Sequence, residues 1–271
     1  MAYGSKTLIK TDGDFASREK RLSICLGANG FSFAETTSSG TLLSYGEADG
    51  AHGSTMTGIV ADVKAFFASI GIRPLSYAAS ELVVVSDESV WVPDEIYTSA
   101  ANRQYLKFVG STPMTVMSCH CETLASTAVF AADELVPTAF KVAMPGIAVM
   151  NQHAKIATLA PRSANHPLVF THWRNNAVDM AVCNEGRYIF GNTLRFANDN
   201  EALFHIVELV KSSGTDADRT ELLMCGDVDR ERFARLRPFF PTTTLFGGLR
   251  TETANPELRK LRTYRHALIL M

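Results

Sequence analysis

The chain has 271 residues, 46% of them hydrophobic and 20% charged, a balance that lets an ordinary globular protein bury sizeable cores without covalent staples. Its formal net charge of -2 argues against a nucleic-acid surface, which carries a basic excess. No run approaches the ~20 apolar residues of a membrane helix; the polar N-terminus lacks the apolar core of a signal peptide, and five cysteines without framework spacing fit a reducing compartment, so a cytoplasmic location is expected.

Residues 1–21 have little periodicity and read as a flexible arm, with 7–9 able to add to a sheet edge. Three short strands follow, at 22–26, 31–36 and 41–45. The first turn, Gly27-Ala28-Asn29-Gly30, contains the Asn-Gly pair that supplies the positive φ angles of tight hairpins. Met56, Ile59, Val60, Val63, Phe66, Phe67 and Ile70 recur at helical spacing; Ser54 or Thr55 can cap this helix and Gly71 can end it. The apolar run 82–85 reads as a buried parallel strand. Pro93 is expected to open a helix, with Asp94 and Glu95 in its first turn. Strands at 114–122 and 127–131 precede a helix at 133–142, which Pro137 argues against being straight. A strand at 147–150 and a helix at 152–159 lead to a polar, Pro-flanked connection at 161–167, where the lobe boundary is placed.

The second half repeats this order. Strands at 168–173, 177–182 and 187–194 alternate with the turns Arg174-Asn175-Asn176 and Asn184-Glu185-Gly186. A helix at 201–211 carries Leu203, Ile206, Val207 and Val210 on one face. After a polar loop come a buried strand at 222–225, a helix at 229–236 ended by Pro238, and a strand at 242–246. Asn255 can cap a last helix that begins at Pro256 and carries Leu258, Leu261 and Leu268. A three-strand meander feeding β-α units gives a mixed sheet with helices on its faces, and its repetition points to duplicated lobes, 22–162 and 163–271. The ribonuclease-H-like topology has this order, and two copies face to face resemble an actin-like ATPase architecture.

Leu22-Ser23-Ile24-Cys25-Leu26 with Phe31-Ser32-Phe33, and Trp91-Val92-Pro93-Asp94-Glu95-Ile96-Tyr97, resemble an uncharacterised Bacteroidetes family (domain of unknown function 3822) with an actin-like ATPase fold. The resemblance implies a fold and no reaction. An active ATPase of that architecture wraps phosphates with a Gly-rich hairpin in each lobe and holds Mg²⁺ through acids on the first strands. The counterpart in the first lobe is Cys25-Leu26-Gly27, with a thiol where the carboxylate belongs. In the second lobe it is Thr171-His172-Trp173-Arg174, which offers no acid and is expected to place an indole against the phosphates. A third motif survives only as Cys225-Gly226-Asp227. Gly27, Asn29, Gly30, Asn175, Asn176 and Gly226 are thus remnants of phosphate loops, or simply turn residues; no catalytic residue, metal or cofactor is expected.

Cys119-His120-Cys121 has the residue types of a metal site, but strand alternation puts His120 on the opposite face from the two thiols, so buried structural cysteines are expected. Cys25 reads as a buried strand thiol, His172 as a cleft or packing residue, and Asp227 and Asp229 as helix caps. The arginines Arg230, Arg232, Arg235 and Arg237, with Arg250, Arg259, Lys260, Arg262 and Arg265, read as a solvated face or as a basic patch for an acidic partner or RNA. Trp91, Ile96, Tyr97 and Tyr105 either cover their own lobe or form a contact with a protein partner or a second copy of the chain. The reading that follows is a degenerate actin-like scaffold, a pseudo-ATPase or protein-binding module. The alternatives are a nucleotide-binding ATPase or phosphotransferase, and a nucleic-acid adaptor acting through the C-terminal Arg/Lys face.

Overall fold

A computed structural model describes residues 3–11, 19–27, 30–50, 55–110, 115–158, 160, 166–248 and 252–270. The first sheet is built from the expected meander, β2 (Lys20–Gly27), β3 (Gly30–Thr37) and β4 (Leu42–Asp49), with β1 (Gly4–Lys10) added along the edge of β4. Two parallel strands, β5 (Ala79–Val84) and β9 (Ala148–Asn151), extend it on the other side, in the order β1-β4-β3-β2-β5-β9. Period-two alternation sorts its side chains. Leu22, Ile24 and Leu26 of β2 and Leu82 and Val84 of β5 face α1 (Met56–Ser69) and α3 (Leu135–Ala143) in one core, while Val83 faces the second lobe. Thr55 caps α1 through the Gly58 amide, and Gly71 at φ +76° turns the chain out of it. Pro137 falls in the first turn of α3, where no intrahelical amide donor is required.

The second sheet repeats the pattern. β10 (Leu168–Trp173), β11 (Ala177–Asn184) and β12 (Arg187–Arg195) form the meander, and β13 (Glu221–Gly226) and β14 (Thr243–Leu245) run parallel to β10, in the order β12-β11-β10-β13-β14. Setting aside β1, both sheets place the third, second, first, fourth and fifth strands side by side. α5 (Asp199–Ser212) and α6 (Arg230–Leu236) cover the outer face over Val169, Trp173, Leu222 and Met224. The inner face, with Leu168, Phe170, Leu223 and Cys225, packs toward Val83 and Ile156 of the first half. α4 (Gln152–Ala157) crosses between the sheets with every residue buried. The end of the chain returns between them: Ala267 and Leu268 join the interlobe core, and Ile269 and Leu270 pack on Ala34, Leu42 and Tyr45 of the first sheet.

Two expectations about local structure are corrected. Pro93 does not open a helix. It ends β6 (Ser89–Pro93), paired with Ser126 of β8 (Ser126–Ala131), and the helix begins only at α2 (Asn102–Phe108). The Asp94 carboxylate, expected in a helical first turn, instead accepts from Thr127 at 3.3 Å and pairs with His120 at 2.8 Å. With β7 (Val116–Cys121) these strands make a separate antiparallel sheet, β6-β8-β7, inserted between β5 and α3. The expected last helix is split into the single turn α7 (Pro256–Arg259), capped by Asn255, and a 3-10 segment, Thr263–Ile269. Among the described residues no helix is long and apolar enough to cross a membrane.

Candidate functional site

The carboxyl ends of the parallel strands are where an open α/β sheet exposes backbone groups to a ligand. There the two lobes enclose a cleft of about 1080 Å³. The end of β2 and the start of β3 (Cys25, Gly27, Gly30) form one wall, and the β10–β11 turn (Asn175, Asn176) forms the other. Both hairpins expected to be phosphate-loop remnants therefore face one space; Asn29 lies outside the described residues. Gly30 has a local reason to be glycine, since at φ +137° a Cβ would lie 2.0 Å from the Ala48 carbonyl oxygen. Gly226 lies behind the cleft wall: at φ +83° its Cβ would lie 2.2 Å from the Trp173 carbonyl oxygen, with which it is in parallel register.

Trp173 is not in the cleft, contrary to expectation. Alternation along β10 puts Trp173 on the face of Val169 and Thr171, so the indole is buried in the outer core of the second lobe. It packs edge-on to Phe196 at 5.7 Å, lies beneath the Arg232 guanidinium at 4.7 Å, and donates to Thr171 Oγ1 at 3.0 Å. His172, one residue earlier, faces inward and binds Asp179 through Nδ1 at 3.0 Å.

Asp179, on β11, is the centre of the site, and sequence reasoning missed it. Its carboxylate is fully buried and accepts from Arg174 Nε (3.0 Å) and Nη2 (2.9 Å), Thr193 Oγ1 (2.7 Å) and Gln152 Nε2 (3.2 Å), besides the His172 contact. Burial alone would raise its pKa. The His172 hydrogen bond and the imidazole and guanidinium groups around it outweigh that and hold the carboxyl well below the usual carboxylate range. His153, buried beside it and bonded to Thr193 at 2.8 Å, is pushed down by desolvation. Burial, and then the Asp179 charge, push the Cys25 thiol up to about 12. The one sequence signal for this network was a single Asp in the otherwise apolar strand 177–182.

Among the described residues, charge on the cleft walls is dominated by Glu47, Asp49, Asp87, Glu88, Asp133 and Asp227 against Arg174 and Arg195. Both cations are engaged: Arg174 binds Asp179 and Asp87, and Arg195 binds Asp87 at 3.1 Å. Among the described residues no group of three or more His, Cys, Asp or Glu is disposed to hold a metal ion. His120 points away from the two thiols as alternation requires and meets Asp94, while Cys119 accepts from the Asn151 amide at 3.3 Å and Cys121 is buried. Asp229 caps α6 through the Arg232 amide at 2.7 Å. Arg232 and Arg235 are bound by Asp199 and Glu231. On the inserted sheet, Trp91 meets Tyr188 of β12 at 6.2 Å, Tyr97 stacks on Tyr105 at 6.2 Å, and Ile96 is 65% exposed. Phe108, which the sequence reading passed over, is 94% exposed at the end of α2.

Two lobes of this topology, closing on one cleft, constitute an actin-like ATPase fold. A Bacteroides thetaiotaomicron protein described as having an actin-like ATPase fold and unknown function matches with a TM-score of 0.67, at 16% identity, over 85% of this chain and 91% of that one. The PilM–PilN type IV pilus biogenesis complex matches at 0.49 (11% identity; 93% of this chain and 97% of that chain). The ethanolamine utilization protein EutJ from Carboxydothermus hydrogenoformans matches at 0.47 (9% identity; 93% and 90%). No curated protein matches the sequence. Residues 13–242 match the family described as protein of unknown function (DUF3822), and the chain belongs to that family, as its strand motifs led one to expect.

Proposed function

We propose that this protein is an actin-like scaffold that has lost its nucleotide chemistry and works by binding a protein partner. The observation that carries the reading is the charge of the cleft. Among the described residues, a triphosphate entering it would face six carboxylates and two guanidiniums, and both of these guanidiniums are already paired. At the end of β2, where the fold would use an acid to hold Mg²⁺, stands the unionised Cys25 thiol. No cofactor is required by this reading. Five unpaired cysteines support a reducing, cytoplasmic setting. The inserted sheet and α2 offer the partner-binding surface, through Ile96, Phe108 and Val109, all exposed.

Thermal denaturation with and without millimolar Mg-ATP, run beside a phosphate-release assay, tests the proposal. A ligand at a hundredfold excess over its Kd stabilises the native state by about 2.7 kcal/mol. No change in melting temperature and no phosphate release are expected. A rise of several degrees would replace this reading with that of a nucleotide-binding actin-like protein.

A further inference from the structure

Across the cleft floor the two lobes are bridged by charged side chains. Arg174, in the turn between β10 and β11, has two of its donors fixed on the buried Asp179 carboxylate, at 3.0 and 2.9 Å. Its remaining arm, Nη1, donates to Asp87 of the first lobe, just past the end of β5. Arg195, at the end of β12, takes the other Asp87 oxygen at 3.1 Å. Beneath them, Gln152 of the crossing helix α4 accepts from the Ser86 amide at 3.0 Å and donates to the Ser86 carbonyl oxygen at 2.5 Å and to Asp179 at 3.2 Å.

We infer that Asp87, Arg174 and Asp179 form an interlobe clasp, with Asp87 as its releasable catch, so that the width of the cleft is set by the protein's own ion pair and not by a bound ligand. Three features of the geometry support it. The Arg174 fork is already held by Asp179, so little side-chain entropy remains to be lost when its free arm grips Asp87. The anchor and the catch differ in exposure: the Asp179 side chain is fully buried, whereas that of Asp87 is 33% exposed, so the catch is the half of the clasp that water and salt can reach. Finally, the apolar layer of Val83, Ile156, Phe170 and Leu223 lies between the sheets and keeps the lobes attached when the catch opens.

The test is amide hydrogen exchange on the full chain and on Asp87→Asn, which removes the catch and leaves the buried Arg174–Asp179 pair intact. Exchange at Ser86, Glu88 and Arg174 should accelerate about tenfold or more, while α1 and α5 exchange as in the wild type. Raising NaCl from 0.05 to 1 M should accelerate the same amides in the wild type and not in Asp87→Asn, because the Arg174–Asp179 pair that remains in the variant rests on a fully buried carboxylate that salt does not reach. Exchange within twofold of wild type at all three amides overturns the clasp. So does acceleration spread equally over α1 and α5, which would mean a loss of global stability, or a salt response that persists in the variant.

Discussion

Asp179→Asn is the most demanding test of the buried network. The native carboxylate receives five donated hydrogen bonds on two oxygens: two from Arg174 and one each from His172, Gln152 and Thr193. The amide removes the charge and turns one acceptor into a donor aimed at donors already in place. Breaking a buried ion pair by removing one partner costs about 3–5 kcal/mol. The low end applies, because the Arg174 side chain is 20% exposed and keeps Asp87. About 3 kcal/mol corresponds to a melting temperature lower by roughly 6–12 °C in a chain of this size. Urea denaturation should show the midpoint falling with an unchanged m-value. The pH dependence follows from the depressed native pKa. Asp179 stabilises the fold fully above its unfolded value of about 4, and its contribution is lost as pH falls from there through the lower folded value. The gap between wild type and variant should therefore stay constant from about pH 5 to 8 and narrow below about pH 4. A gap under about 1 kcal/mol at pH 7, or one that widens on acidification, would refute this account of the network.

Gly226→Ala should cost about 2–4 kcal/mol, because the new Cβ meets backbone that cannot swing away. Gly110→Ala, at nearly the same φ but with nothing within 4 Å, should cost only about 1 kcal/mol; equal losses in chemical denaturation would show that space plays no part. Trp173→Ala should destabilise by about 3–5 kcal/mol through the emptied outer core and should not confer Mg-ATP binding; a melting curve that Mg-ATP raises in this variant alone would return the indole to the phosphate site. With its thiol at about 12, Cys25 should be alkylated at pH 8 roughly 10³-fold more slowly than an ordinary exposed cysteine, as peptide mass mapping would report. Phe108→Ser should leave stability within about 0.5 kcal/mol of wild type while weakening partner capture or self-association in sedimentation.

The duplicated lobes could be read from the chain because each rests on local signals. Two meanders with Gly- or Asn-containing turns, two amphipathic helices and two short apolar strands recur in the same order, and period-two alternation already assigns residues of one strand to two faces. Caps were equally legible: Thr55, Asp229 and Asn255 bond amides two or three residues on, a contact that involves no other part of the chain. Alternation says that His172 and Trp173 face opposite ways, but only the packed structure says which face is the cleft, so the indole was assigned to the wrong side. Pro93 likewise carries a helix-opening signal, and what overrides it is pairing with Ser126 in a sheet whose third strand comes from further along the chain. The Asp179 network lay furthest from the sequence. Its donors come from positions 152, 172, 174 and 193, on four elements of both lobes, and a lone Asp in an apolar strand announces that a partner is needed without naming it. Local propensity and periodicity act over a few residues and are written along the chain; the pairing of buried charges is set by which elements meet, and that was decided only when the two sheets closed on α4.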